Sequence, residues 1–182
     1  MALFPWKKIS SRMVHRNPWW GYFLDRVGAP PFGETDYHYV STPGSVIIVP
    51  VNADGSLVLV RQYRYLMEME SLEFPAGGMK EGERPEDRAR RELIEETGLD
   101  GALEYAGRFN PCKGVIREWA HVFIARELSA SAMYARDHTE EFEVVTLGPE
   151  ELDGLVRSNG IMDGMTMAAW AMARERLLHS SR

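Results

Sequence analysis

The chain has 182 residues, 45% of them apolar and 26% charged, the balance of a folded globular domain with enough length to bury a core without disulfides or metal. Its 27 Asp+Glu exceed its 21 Lys+Arg, for a formal net charge of -6, which argues against bulk attraction to nucleic acid. The single cysteine, Cys112, excludes a disulfide framework and a zinc site of several thiolates, and points to a reducing, cytoplasmic setting.

Apolar runs fall far short of the roughly 20 residues that span a bilayer. The short apolar stretch ahead of Lys7 and Lys8 has the wrong order for a secretion signal, so no membrane association is expected. Residues 9–16 and 19–27 are rich in aromatic and β-branched side chains and flank Asn17 and Pro18, a hairpin signal. After a Pro/Gly-rich stretch at 28–33, an extended pattern with Tyr37 and Tyr39 resumes at 36–41. A small N-terminal β subdomain is therefore expected at 1–41, with the main domain at 42–182. Residues 45–51 and 56–63 read as two strands paired across the Asp54-Gly55 turn, and residues 71–74 as another strand.

The spacing predicts a helix over 85–97, with Pro85 at its start, Glu86 and Asp87 in its first turn and Gly98 just past its end. Arg84 is a poor N-cap for it. Strands are expected at 104–109, 119–125 and 142–147. A helix opened by Pro149 should stop at Asn159 and Gly160, and a last helix should run from about 163 to 178. Met165, Met167, Trp170 and Met172 on that helix read as core filling at helical spacing rather than as a ligand box.

Chemistry concentrates at residues 77–99. Glu92, Glu95 and Glu96 stand at i, i+3 and i+4 of the predicted helix, so three like charges share a face and need compensation. A hard cation such as magnesium or manganese is one source, since carboxylate oxygens suit it. Arg88, Arg90 and Arg91 on a solvated face are the other.

The wider pattern is Gly77, five residues, Glu83, seven residues, then Arg91-Glu92-Leu93-Ile94-Glu95-Glu96-Thr97-Gly98-Leu99. It resembles the box of the Nudix hydrolases at every specified position. That resemblance implies an α/β/α sandwich with a mixed β-sheet, a magnesium or manganese cofactor, and cleavage of a nucleoside diphosphate linked to another moiety. It assigns Glu92 and Glu96 to the metal together with the Ala76 carbonyl, gives Glu95 an assisting catalytic role, pairs Arg91 with Glu83, and leaves Gly77 and Gly98 as backbone devices.

Outside the box, Val60-Arg61-Gln62-Tyr63-Arg64 and Leu72-Glu73-Phe74-Pro75-Ala76-Gly77 resemble the ADP-ribose pyrophosphatase and nucleoside diphosphate sugar hydrolase branch. They imply substrate contacts from Arg61 and Arg64, whose planar forks match phosphate oxygens, and a metal-site acid at Glu73. The segment from Pro111 to Glu118 resembles a PxxGxxxE element of that branch, with Glu118 toward substrate, although Pro111 follows Leu99 by only 12 residues.

The acidic stretch at 137–143 lies where the branch keeps a catalytic loop. It offers Glu140 or Glu141 as general base, with His138 as a competitor. Cys112 as nucleophile finds no histidine partner in this pattern. In the N-terminal subdomain Trp19, Trp20, Tyr37 and Tyr39 are candidates for stacking a nucleobase, for a homodimer seam, or for both. A nucleoside triphosphate or dinucleoside polyphosphate pyrophosphohydrolase, and a regulator that senses nucleotides without cleaving them, stand as alternatives. Regulators of that kind lose box acids, and all are present in this sequence.

Overall fold

Residues 45–50 lack the polar alternation of a half-exposed strand, and they form β4 (Ser45–Pro50), buried at every position. The computed structural model describes residues 4–132 and 142–178, in two units: Met1–Pro43 with Asn110–Trp119, and Gly44–Phe109 with Ala120–Arg182.

The first unit is a four-stranded sheet. Strands β1 (Lys7–Arg16), β2 (Gly21–Gly28) and β3 (Glu34–Ser41) pair antiparallel in chain order. Asn17 makes the first turn, its Oδ1 accepting the Trp19 and Trp20 N–H groups at 2.9 and 2.8 Å. The two-residue strand β9 (Ile116–Arg117) adds parallel to β3, which brings Asn110–Trp119 into a unit that the sequence placed within 1–41. Tyr37 donates its hydroxyl to the Gly114 carbonyl at 3.1 Å, and Val40 N–H donates to the Val115 carbonyl at 2.9 Å. A strand of two residues leaves no periodicity to read.

In the second unit β4 pairs antiparallel with β7 (Ala76–Gly78) and parallel with β10 (Ala120–Ala130), which pairs antiparallel with β8 (Leu99–Phe109). The result is a mixed sheet. Alternation along β4 divides the core. Val46 and Ile48 pack with Ala89 and Leu93 of α1 (Pro85–Thr97), while Ile47 and Val49 pack with Ala169, Trp170 and Ala173 of α3 (Gly164–Leu178). One helix therefore covers each face, the expected sandwich. Trp170 is buried in this core, with Met165, Met167 and Met172 packed against it. Helix α2 (Pro149–Arg157) contributes buried Leu152 to the same cluster.

The expected hairpin of residues 45–51 and 56–63 is not formed as such. The turn is there, but β5 (Leu57–Arg64) enters a separate sheet between β11 (Glu143–Leu147) and β6 (Met69–Glu73), and only a bridge between Val51 and Leu57 joins the two runs. Both edges of β4 are already taken by β7 and β10, so β5 has no ladder to join there. Among the described residues, no helix is long and apolar enough to cross a membrane.

Leu93 is fully buried where α1 meets the sheet. Leu93→Ala is expected to cost about 2–5 kcal/mol of unfolding free energy, read as a lowered denaturant midpoint at unchanged slope.

Candidate active site

Helix α1 begins without a side-chain cap, as Arg84 foreshadowed, and stops at Gly98, whose φ of 73° is the left-handed conformation that glycine accepts without strain. Between these ends Glu92 and Glu96, one turn apart, are buried with Leu93 and Ile94, while Glu95 is exposed. Charged side chains are seldom buried without partners, so these two acids stand out on the inward face of the helix.

What they face is the backbone of β7 and the residues leading into it. The Ala76 N–H donates to Glu96 Oε2 at 3.2 Å. A side chain at Gly77 would overlap the Glu92 carboxylate, so this glycine is required by close approach rather than by an unusual φ. Arg88 forms an ion pair with Glu92 Oε1 and lies 3.9 Å from Glu95, while its own buried Nε has no hydrogen-bond partner among the described residues. Arg91 pairs with Glu83 and ties the loop before α1 to the helix, and Glu83 also accepts the Lys80 N–H at 2.8 Å. Arg90 turns away to Asp100, with bonds of 2.9 and 2.7 Å. Of the three arginines that might have balanced the acidic face, only Arg88 does so.

The third acid comes from the hairpin of β5 and β6. Register places Gln62 opposite Ser71 and Val60 opposite Glu73, so Gln62, Arg64, Ser71 and Glu73 share one face. Arg64 grips buried Glu73 through two guanidinium nitrogens, Nε donating to Oε1 at 2.8 Å and Nη2 to Oε2, and Gln62 adds a contact at 3.4 Å. Hydrogen bonding to Glu73 pushes the Arg64 guanidinium above its ordinary pKa, and the charges of Asp163 and Glu96 act in the same direction. Its fork is thus occupied by Glu73 in this structure. Arg61 pairs instead with Glu143 at 3.0 Å.

Among the described residues, no three His, Cys, Asp or Glu side chains are gathered closely enough to hold a metal ion. The donor set still suits a hard cation. It consists of buried carboxylates beside a main-chain segment, all of them hard oxygen donors. Asp163, whose charge acts on Arg64, is not among the residues that the sequence singles out for the site. Its only local signal was the start of the last helix.

In the first unit, Tyr39, Tyr37, Trp119 and Arg117 line a cleft of about 470 Å³, with Glu118 and Lys113 at its lining as well. The Arg117 guanidinium lies 5.0 Å from the Tyr39 ring centroid and 5.4 Å from that of Phe23. Trp19 is 73% exposed and Trp20 38%, both beside the Asn17 turn. Glu140, Glu141 and His138 lie outside the described residues.

The Gly77 contact yields a sharp contrast. Gly77→Ala is expected to destabilise by about 1–3 kcal/mol through overpacking, whereas Gly78→Ala, with open space at its Cβ, should stay within about 0.5 kcal/mol of the unchanged protein in denaturant unfolding.

Residues 41–162 match the NUDIX domain family. An ADP-ribose pyrophosphatase of Bacillus subtilis (strain 168) is 34% identical over 149 residues, covering 81% of this chain and 80% of that protein. A methanol dehydrogenase activator of Bacillus methanolicus is 30% identical over 160 residues, covering 86% of each. A solved ADP compounds hydrolase superposes with a TM-score of 0.84 over 100% of this chain and 99% of its own, at 20% identity, a likeness of fold. With its box, its sandwich and a matched domain that spans most of its length, the chain belongs to the Nudix hydrolase family.

Proposed function

We propose that this protein hydrolyses the pyrophosphate bond of a nucleoside diphosphate linked to ribose or a sugar, ADP-ribose being the first candidate, to a nucleoside monophosphate and a sugar phosphate. The single observation that carries the reading is the placement of buried Glu92 and Glu96 against Ala76 and Gly77, a concentration of negative charge with no purpose in an apolar core. The ADP-ribose pyrophosphatase among its relatives supports the substrate class.

Glu92, Glu96, Glu73 and the Ala76 carbonyl are the groups that would hold the metal, with magnesium the expected ion and manganese a substitute, since all are oxygen donors. When bound, a divalent cation supplies charge neutralisation for the pyrophosphate and Lewis acidity toward the attacking water. The protein's own residues do the rest. Arg64 and Arg61 present guanidinium forks for phosphate oxygens, Arg64 by exchanging part of its grip on Glu73. Glu95, exposed on α1, assists at the site edge. Glu140 or Glu141 takes the proton of the water as its oxygen bonds to phosphorus and the bridging P–O bond breaks. Tyr39, Trp19 and Trp20 offer stacking surface for the base, and Glu118 a polar contact.

A homodimer fits the same reading. Strand β1 is exposed along its whole length and carries Lys7, Lys8, Arg12 and Arg16 without an acid. Its unit holds seven of the chain's 21 Lys+Arg but four of its 27 Asp+Glu, so the rest of the chain is strongly acidic. A second copy offers the basic strand a complementary partner. A cytoplasmic location agrees with the lone exposed cysteine.

Incubation with magnesium and a panel of ADP-ribose, nucleotide sugars, NADH, diadenosine polyphosphates and nucleoside triphosphates should give fastest release of AMP from ADP-ribose or of a nucleoside monophosphate from a nucleotide sugar. Preference for triphosphates would replace this reading with the housecleaning alternative, and no turnover of any would favour the regulator. Glu92→Gln and Glu96→Gln should each lower kcat by orders of magnitude while the far-ultraviolet dichroism is unchanged. One of Glu140→Gln and Glu141→Gln should lose about 10²- to 10⁴-fold. Light scattering at micromolar concentration should give twice the chain mass of 20.7 kDa, and the chain mass itself would refute the dimer.

A further inference from the structure

Residues 72–76 carry both Glu73 and the Ala76 carbonyl, and three elements fix that short stretch in place. Gln62 and Arg64 of β5 hold the Glu73 carboxylate, and Glu96 of α1 accepts the Ala76 N–H. The remaining tie comes from the start of α3, where the Phe74 N–H donates to Thr166 Oγ1 at 2.9 Å. Phe74 and Thr166 are both fully buried and lie 92 positions apart in the chain. Water cannot replace this acceptor, so turning the Phe74 peptide would leave a buried N–H unpaired, which opposes any shift of the stretch.

The hydroxyl is itself held. Asp163 caps α3, with Oδ2 accepting the Thr166 N–H at 2.8 Å, Oδ1 accepting the Met165 N–H at 3.2 Å and its carbonyl accepting the Met167 N–H at 3.2 Å. Phe74, Ala169 and Trp170 belong to one core cluster, so the first turns of α3 and the acidic stretch share a packed foundation.

We propose that Thr166, seated by the Asp163 cap, is a positioning residue that fixes where the Glu73 carboxylate and Ala76 carbonyl stand relative to Glu92 and Glu96. The proposal rests on the reading of these groups as the metal site. Thr166 touches neither substrate nor metal. It acts through the backbone of Phe74, immediately after Glu73 and two residues before Ala76.

Binding of Mn²⁺ alone to the full chain, followed by the electron paramagnetic resonance of the free ion, tests this without turnover. Thr166→Val keeps the shape and removes the acceptor. It is expected to weaken Mn²⁺ binding roughly 10- to 100-fold, the range for groups that orient metal ligands. Thr166→Ser, which keeps the hydroxyl, should bind as the unchanged protein does. A merely structural role would lower the melting temperature of Thr166→Val and leave the affinity of the folded protein where it was. Should Thr166→Val fail to fold, Asp163→Ala, at a half-buried cap, decides the matter by the same affinity measurement. Unchanged affinity in whichever of these variants folds overturns the positioning role. If the unchanged protein binds no Mn²⁺, or Glu92→Gln and Glu96→Gln bind it undiminished, the metal-site reading falls and takes this proposal with it.

Discussion

The carboxylate of Glu92 lies so close to the main chain at Gly77 that no side chain fits between them. This contact ties a charged position of α1 to the strand that edges the central sheet, and much of the unit is arranged around it. Beneath it, Ala89 and Leu93 of the same helix bury against Val46 and Ile48 of β4. Beside it, β7 is held to β4 by the ladder from Ala76 to Gly78. A helix anchored by apolar packing alone could settle at several heights on the sheet, since such packing is not directional. The charged edge, meeting a backbone without a Cβ, removes that freedom.

Buried acids are costly, and the way their charge is offset explains the distribution of arginines around them. Arg88 serves Glu92 and Glu95, Arg91 serves Glu83, and Arg64 serves Glu73, while Arg90 is spent on Asp100 at the far end of α1. An apolar replacement of equal volume would be at least as stable as a buried ion pair, so retention of the acids calls for a purpose outside folding. Hydrolysis of a pyrophosphate supplies one, because the substrate arrives with negative charge and gathers more on its oxygens as the bond breaks.

Sequence and structure agree best where local chemistry is dense. The box helix runs from Pro85 to Thr97 and ends at Gly98 as its start and stop signals require, because Pro at the first turn and Gly beyond the last are backbone constraints that no distant contact revises. The turn at Asn17 was legible for the same reason. The pairing of residues 45–51 with 56–63 was not. Asp54-Gly55 predicts a reversal correctly, but which ladder each strand joins is decided by β7 and β10, neither of them adjacent in sequence to β5. Within the candidate site, spacing put Glu92, Glu95 and Glu96 on one helix, and resemblance to the Nudix box singled out Gly77 and the acids' roles. Thr166 and Asp163 were not legible, since a buried hydroxyl and a helix cap look ordinary until the fold sets them beside residues 72–76. Arg64 shows the intermediate case, a residue picked out by its motif whose grip on Glu73 only the hairpin register reveals.

A cation-dependent reaction at Glu92, Glu96, Glu73 and Ala76 is the central proposal, and removal of the cation tests it most directly. ADP-ribose is incubated with protein stripped by chelator, then with magnesium restored, and AMP and ribose 5-phosphate are quantified in each arm. No product in the stripped arm and full recovery on adding magnesium is the predicted result. Release of AMP at an undiminished rate in the presence of chelator would contradict it.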